Sequence, residues 1–369
     1  MVQTPHGTTW CVVPSRDIDR KVSMNLNEMR NWLNEKDPER LEELFGEARA
    51  CAIQYVGPRV YFRGIIEFSN LCVKDCYYCG IRKSNANVTR FAMEEGEILE
   101  CALVAQEMDY GSIVLQSGER QDETYVRFIE DILRKIKTAT SGKLGITLSL
   151  GEQTAETYER WFKAGAHRYL LRIETSSPAL YKRLHPGDHF FEVRRECLRT
   201  LRRIGYQVGT GVMIGLPFQT HEHFLDDIRF FKNEDVDMIG MGPYVPHEDT
   251  PLVSTGYDPV ENFRLGLVMI ALTRLVLKDV NIAATTALQT LDPLGREKGV
   301  LAGANVIMPN ITPTDYRKFY QLYNHKPCLD ENARQCKSCL ERRVQVAGAE
   351  IGYGEWGDPV HFLKKQKIL

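Results

Sequence analysis

From Val60 onward, strand-like and helix-like stretches alternate eight times, and no other feature constrains the fold as strongly. Parallel strands need a long crossover between them, so each strand followed by an amphipathic helix adds one βα unit to a single sheet. The strand candidates are 60–68, 112–116, 145–150, 168–173, 207–214, 236–241, 281–285 and 304–308. Helical periodicity fills the gaps at 94–108, 122–137, 154–164, 191–204, 220–233 and 262–278. Eight such units in about 250 residues predict an α/β fold, a (β/α)8 barrel of the TIM type, with its chemistry at the C-terminal ends of the strands. A doubly wound open sheet is the alternative. Its dinucleotide version is weak, because in Gly209-Thr210-Gly211-Val212-Met213-Ile214-Gly215 the third glycine comes one residue late.

The flanks read as decorations on that barrel. Asp37-Pro38 is an N-cap followed by proline at the first helical position, and Leu41, Leu44, Ala48, Cys51 and Tyr55 recur at helical spacing as far as Gly57-Pro58. Residues 1–58 are therefore assigned to an N-terminal arm and helices, 59–312 to the barrel and 313–369 to a C-terminal extension. All three belong to one integrated domain, with residues 1–20 a loose arm and 340–347 a helix. Lys and Arg number 47 against 49 Asp and Glu, which argues against nucleic acid or an anionic membrane as partner. No apolar run approaches the roughly 20 residues of a membrane span. Ten cysteines without an apolar signal core point to reduced thiols in the cytoplasm, used for metals rather than disulfides.

Three of those cysteines, Cys72, Cys76 and Cys79, stand at C-x3-C-x2-C spacing directly after the first strand. Three thiolates can hold three irons of a [4Fe–4S] cube and leave the fourth iron open for chemistry. A zinc site would want a fourth ligand close by, but the next cysteine is Cys101 in a helix and the next histidine is His167. With aromatic Tyr78 just before the third cysteine, the triplet resembles the signature of the radical S-adenosylmethionine (SAM) superfamily. The second strand ends Gln116-Ser117-Gly118-Glu119, similar to that superfamily's Gly-Gly-Glu motif, with Ser117 in place of the first glycine. Strand four ends Arg172-Ile173-Glu174. Such charges are rarely buried unless paired, so two readings stand: a structural ion pair, or Glu174 on SAM with Arg172 facing an anionic substrate.

Longer runs make the resemblance specific. Ile65-Ile66-Glu67-Phe68-Ser69-Asn70, Leu115-Gln116-Ser117-Gly118-Glu119, Thr147-Leu148-Ser149-Leu150-Gly151-Glu152 and Arg168-Tyr169-Leu170-Leu171-Arg172 resemble the HydE family of [FeFe]-hydrogenase maturases. So do Pro246-His247-Glu248-Asp249-Thr250-Pro251-Leu252 and Gly303-Ala304-Asn305-Val306-Ile307-Met308-Pro309-Asn310. The similarity spans roughly residues 38–345. It implies SAM contacts at Ser149, Glu174 and Arg194, with Arg195 as a competitor for the last, because of a one-residue insertion near Gly187-Asp188. It implies a barrel lining of Thr147, Arg172, Met238, Thr285, Thr286, Met308, Tyr320 and Tyr323. Ile173 departs from those members that carry histidine there. Cys328, Cys336 and Cys339 match an auxiliary [2Fe–2S] site of some members; a zinc site completed by His325, or idle thiols, are the alternatives.

The function implied is reductive cleavage of SAM at the [4Fe–4S] cluster, giving a 5′-deoxyadenosyl radical that acts on a small sulfur-containing iron synthon. The implied partners are an electron donor such as flavodoxin or ferredoxin and other hydrogenase maturation proteins. A methylornithine-synthase-like or biotin-synthase-like enzyme is the alternative within the superfamily. A non-catalytic Fe–S carrier is the alternative outside it.

Overall fold

Each strand of the sheet is covered on both faces, which is why its residues read as apolar runs rather than alternating ones. The computed structural model describes residues 24–252 and 256–367, with the backbone of an antiparallel pairing between Val2–Gln3 and Thr9–Trp10. The rest of the arm expected over residues 1–20 lies outside the described residues. The eight strands are β1 (Arg59–Ser69), β2 (Ser112–Ser117), β3 (Gly145–Ser149), β4 (Arg168–Leu170), β5 (Gln207–Thr210), β6 (Met238–Ile239), β7 (Asn281–Ile282) and β8 (Val306–Ile307). They are parallel throughout, in the order β7-β6-β5-β4-β3-β2-β1-β8. The sheet closes on itself: Asn305 N–H donates to Ile282 O (2.9 Å) and Ala284 N–H to Val306 O (2.9 Å). This is the expected barrel and not the open sheet.

Regular pairing ends earlier than the apolar runs suggest. β4 stops at Leu170, and the chain beyond it turns through Glu174, whose φ of 66° leaves only a single bridge to Val212. The fifth run splits, and Met213–Ile214 pairs instead with Gly242–Pro243.

The helices follow the expected periods. α1 (Leu26–Asn34) is an addition: it buries only Met29 and Leu33, too thin a stripe to read from periodicity, and it starts with an Asn25/Glu28 capping box. α2 (Pro38–Val56) is capped as expected, Asp37 accepting from the amides of Glu39 and Arg40. The outer layer is α3 (Glu95–Glu107), α4 (Glu123–Ala139), α5 (Ala155–Lys163), α6 (Pro178–Leu184), α7 (Phe191–Ile204), α8 (His221–Asn233) and α9 (Pro259–Leu277). Two short helices, α10 (Thr286–Leu291) and α11 (Gly295–Leu301), separate β7 from β8. None of the described helices is long and apolar enough to cross a membrane.

The C-terminal extension does two things. First, α12 (Thr314–Arg317) leads into a strap over the barrel mouth, followed by α13 (Ala333–Val346). The helix expected at 340–347 therefore begins seven residues earlier, where Asn332 caps it. Second, Glu350–Ile351 pairs with β1, and the tail before α14 (Val360–Gln366) plugs the opposite end of the barrel. There Arg63 and Asn281 donate to Gly357 O (3.0 and 2.8 Å) and Arg168 donates to Trp356 O (2.6 Å). With that end sealed, the strand C-termini provide the opening.

Candidate active site

The cysteine loop follows β1 and is held by one arginine. The Arg90 guanidinium donates to the carbonyls of Asn70 and Ile81 (both 2.8 Å) and Arg82 (2.6 Å), clamping both ends of the loop. Gly118 packs against it so closely that a Cβ there would lie 2.3 Å from Leu71 O and 2.8 Å from Cys72 Cβ. The Glu119 amide donates to Cys72 Sγ (3.3 Å). Cys72, Cys76 and Cys79 all line a cavity of about 300 Å³ in the barrel mouth. Burial pushes all three thiols up, Cys76 to about 12. As thiolates they therefore need a nearby positive charge, which iron would supply. Among the described residues no three His, Cys, Asp or Glu side chains converge as ligands of one metal ion.

Tyr78 is oriented from behind. His185 Nδ1 lies 2.8 Å from the Tyr181 carbonyl, so Nδ1 carries the proton and Nε2 accepts from the Tyr78 hydroxyl (3.2 Å). Burial holds this imidazole neutral, its pKa lowered to about 3.

Beside the cysteines lies a four-charge cluster that sequence reasoning found only in part. Lys74, on the cysteine loop, reaches Glu152 (2.7 Å) and Glu119 (3.4 Å). Arg194, from α7, reaches the same pair (2.8 and 3.6 Å) and donates to Arg172 O (3.0 Å). Burial raises the Glu119 carboxyl against the pull of Arg194 and Lys74. Burial also works on Glu152, but there the same two cations outweigh it and hold the group low. Glu119 Oε1 is buried and accepts no hydrogen bond, although Lys74 Nζ stands 3.4 Å from it; it is an acceptor with room for a ligand donor such as an ammonium group. Gly151 (φ 76°) makes room for this carboxylate, since a Cβ there would lie 2.1 Å from Glu119 Oε2. Arg195 turns away to Glu234 (2.7 Å), so the arginine at the cavity is Arg194. Glu152 could have been found, because it closes the run that begins at Thr147; Lys74 could not, since its partner lies 78 residues away.

The cavity also receives Gln116, Ser117, Ser149, Arg172, Glu174, Thr285, Thr286, Met308, Tyr320 and Tyr323. Arg172 and Glu174 form the ion pair of the structural reading (3.0 Å), yet both face the cavity. Gln116 donates to the Tyr320 hydroxyl (3.2 Å), while the Ser117 hydroxyl turns outward to Tyr125 (2.6 Å) and leaves only backbone for a ligand. Thr147 and Met238 sit elsewhere, in a smaller cavity of about 30 Å³ beneath, which shares Met308 with the upper one. The reason is strand parity: Thr147 precedes Ser149 by two residues, so it faces the same way one layer deeper. A wall pair was missed altogether. Buried Lys326, on the strap, holds Glu67 of β1 and donates to Tyr320 O (3.1 Å).

The outlying cysteines form a different environment. Cys336 and Cys339 share α13 at i, i+3, the first buried and the second exposed. Cys328 donates a hydrogen bond that lowers the Cys336 thiol, with Arg296 and Arg317 helping, and its own thiol is raised. Cys339 instead accepts from Arg343 Nε (3.2 Å).

A closed (β/α)8 barrel with this three-cysteine loop at its mouth defines a radical SAM enzyme, and the Radical SAM superfamily profile matches residues 66–231. The chain is 47% identical over 319 residues to the [FeFe] hydrogenase maturase subunit HydE of Thermotoga maritima, covering 86% of this chain and 88% of that protein. It is 29% identical to the 3-methylornithine synthase of Methanosarcina acetivorans, over 86% of this chain and 87% of the other. The crystal structure of methylornithine synthase superposes with a TM-score of 0.78 at 25% identity, covering 96% and 99%. That of the maturase HydG from Carboxydothermus hydrogenoformans gives 0.76 at 20% identity, covering 92% and 78%, a likeness of fold alone. The chain belongs to the HydE family, and membership implies a [4Fe–4S] cluster and SAM.

Proposed function

We propose that this chain acts in the assembly of the [FeFe]-hydrogenase active-site cofactor, on a small sulfur-containing iron carbonyl/cyanide synthon held in the barrel. The observation that carries the reading is the single cavity onto which the cysteine loop, the Glu119 carboxylate and the Arg172–Glu174 pair all open. Cys72, Cys76 and Cys79 would hold the [4Fe–4S] cluster, which with SAM supplies a 5′-deoxyadenosyl radical once reduced by one electron. The protein's own part is to orient and enclose. Glu119 Oε1 offers the SAM ammonium an acceptor, Tyr78 is fixed by His185, and the strap covers the mouth through Gly80 N–H to Leu322 O (2.9 Å). Arg172, Thr285 and Thr286 would take the anionic end of the substrate, a cysteinate carboxylate or a cyanide, in a low dielectric that strengthens their hold.

The mutase alternative is disfavoured by charge matching. Beyond the Glu119 carboxylate given to the SAM ammonium, the carboxylates on the cavity wall each have a cation: Glu67 has Lys326 and Glu174 has Arg172. The second ammonium of lysine would find no free counter-charge. We assign Cys328, Cys336 and Cys339 to an auxiliary [2Fe–2S] site, with water or another residue filling the fourth ligand place that three cysteines leave. The support is the Cys328–Cys336 contact and the two arginines beside it, which suit an anionic cluster. The setting is the cytoplasm, beside the other maturation proteins.

The test is maturation in vitro. The protein should restore activity to an apo-hydrogenase supplied with those partners, and Arg172→Ala should abolish this while uncoupled SAM cleavage persists. Conversion of lysine to methylornithine, with no effect on hydrogenase, would move the assignment to the mutase.

A further inference from the structure

We propose that the outer rim of the cysteine loop is the docking face for a small acidic protein that delivers single electrons, carrying a low-potential flavin or iron–sulfur centre. The inference rests on the radical SAM reading, which needs one electron from outside, and adds where that electron arrives. Three exposed cations flank the loop. Lys83 lies on one side, its N–H donating to Lys74 O (2.8 Å). Lys182 and Arg183 lie on the other, on α6, whose Leu184 carbonyl accepts from Tyr77 N–H (2.9 Å). None of the three shares an ion pair with a carboxylate among the described residues, whereas outer arginines such as Arg127, Arg134 and Arg203 each hold a glutamate. The exposed Asp188 near this rim is turned to His189 (2.7 Å). In a chain of net charge −2, this is a local positive rim and not a general basicity.

Exposed apolar groups adjoin these cations. Val73, next to Cys72, is 51% exposed and Phe218 is 56% exposed. Phe218 adopts φ 69°, a conformation costly for a bulky residue and kept where the surroundings enforce it. The Arg183 guanidinium stacks 3.2 Å over its ring. Beneath, Leu216, Leu180, Leu184 and Tyr77 form a small apolar cluster separate from the main core, which fixes this face to the cysteine loop. Electron-transfer encounters bury little surface and are steered by complementary charge around a small apolar centre. Such a partner would meet the protein with the cysteine loop directly under the contact.

The experiment compares reductants on the reconstituted holoprotein. Flavodoxin and ferredoxin are the protein donors, and photoreduced 5-deazaflavin is the small neutral one. In Lys83→Glu and in Lys182→Glu/Arg183→Glu, cluster reduction by either protein donor, followed by stopped-flow absorbance, should slow at least tenfold. Its dependence on ionic strength should flatten. Binding of oxidised flavodoxin should weaken in parallel, while deazaflavin-driven SAM cleavage stays within twofold of the parent. Unchanged rates and salt dependence with both protein donors would overturn the docking face. Should the reversed charges lower cluster content, Lys182→Gln/Arg183→Gln decides the same question, since loss of charge alone must slow the protein donors. Failure of the parent protein to cleave SAM with any reductant would instead overturn the radical SAM reading beneath it.

Discussion

The close approach at Gly151 gives the sharpest test of the SAM site. A Cβ at this position would stand 2.1 Å from Glu119 Oε2, so in Gly151→Ala the carboxylate must retreat by at least roughly 1.3 Å to reach ordinary contact. That motion breaks the Arg194–Glu119 contact (3.6 Å) and disturbs Lys74–Glu119 (3.4 Å). The same retreat takes Glu119 away from the SAM ammonium; a charged hydrogen bond lost in a buried site costs about 1.5–3 kcal/mol, which corresponds to SAM binding weaker by roughly 10- to 150-fold. The backbone adds a separate effect, because φ of 76° costs an L-residue about 1 kcal/mol of stability.

The two effects can be separated within the same protein. Gly142 has φ 72° with nothing within 4 Å of the position of a Cβ. Gly142→Ala therefore carries the strain without the clash. It should lower thermal stability about as much as the backbone part of Gly151→Ala and leave SAM binding untouched. The assays are SAM affinity by equilibrium dialysis, iron and sulfide content, and thermal unfolding. Parental SAM affinity in Gly151→Ala with a full cluster would refute the role given to Glu119.

Replacing Cys72, Cys76 or Cys79 with Ala should remove the [4Fe–4S] absorbance and SAM cleavage together, whereas Ala at Cys328, Cys336 and Cys339 together should lower iron content and leave cleavage nearly intact. Glu174→Gln and Arg194→Ala should each weaken SAM binding by about 1–3 kcal/mol, and Arg195→Ala, on the outer Glu234 pair, should not; titration of the three variants decides this. Hydrogen bonds to Asp235 and then Asp279 raise His361 to about 9. Their contribution is fully present below the unfolded value near 6.5 and is lost as pH rises through about 9. At its partly exposed site this is worth about 1–2 kcal/mol, so His361→Gln should flatten the alkaline limb of a stability-versus-pH curve.

What the sequence made legible, and what it hid, follows from the range of the interactions. Strand and helix positions were legible because parallel strands buried on both faces give apolar runs, and the full extent of α7 is legible from period alone. The cysteine triplet, Glu119 and Glu174 stood out because their types are anomalous at a strand end. Lys74 and Lys326 did not, because one charged residue among many looks solvated until its partner is known. Those partners are Glu152, 78 residues away, and Glu67, 259 away. The start of α13 was hidden for a chemical reason. Its buried stripe is Cys336, Leu340 and Val344, a helical i, i+4, i+8 series only if the cysteine is counted as apolar. Reading that residue as a ligand removed it from the pattern. Thr147 carries the same lesson in the other direction: its parity turns it inward, to the lower cavity, and only the three-dimensional stack of layers separates it from Ser149. Sequence therefore selects which residues point inward, while depth along the barrel axis decides which of them can meet SAM.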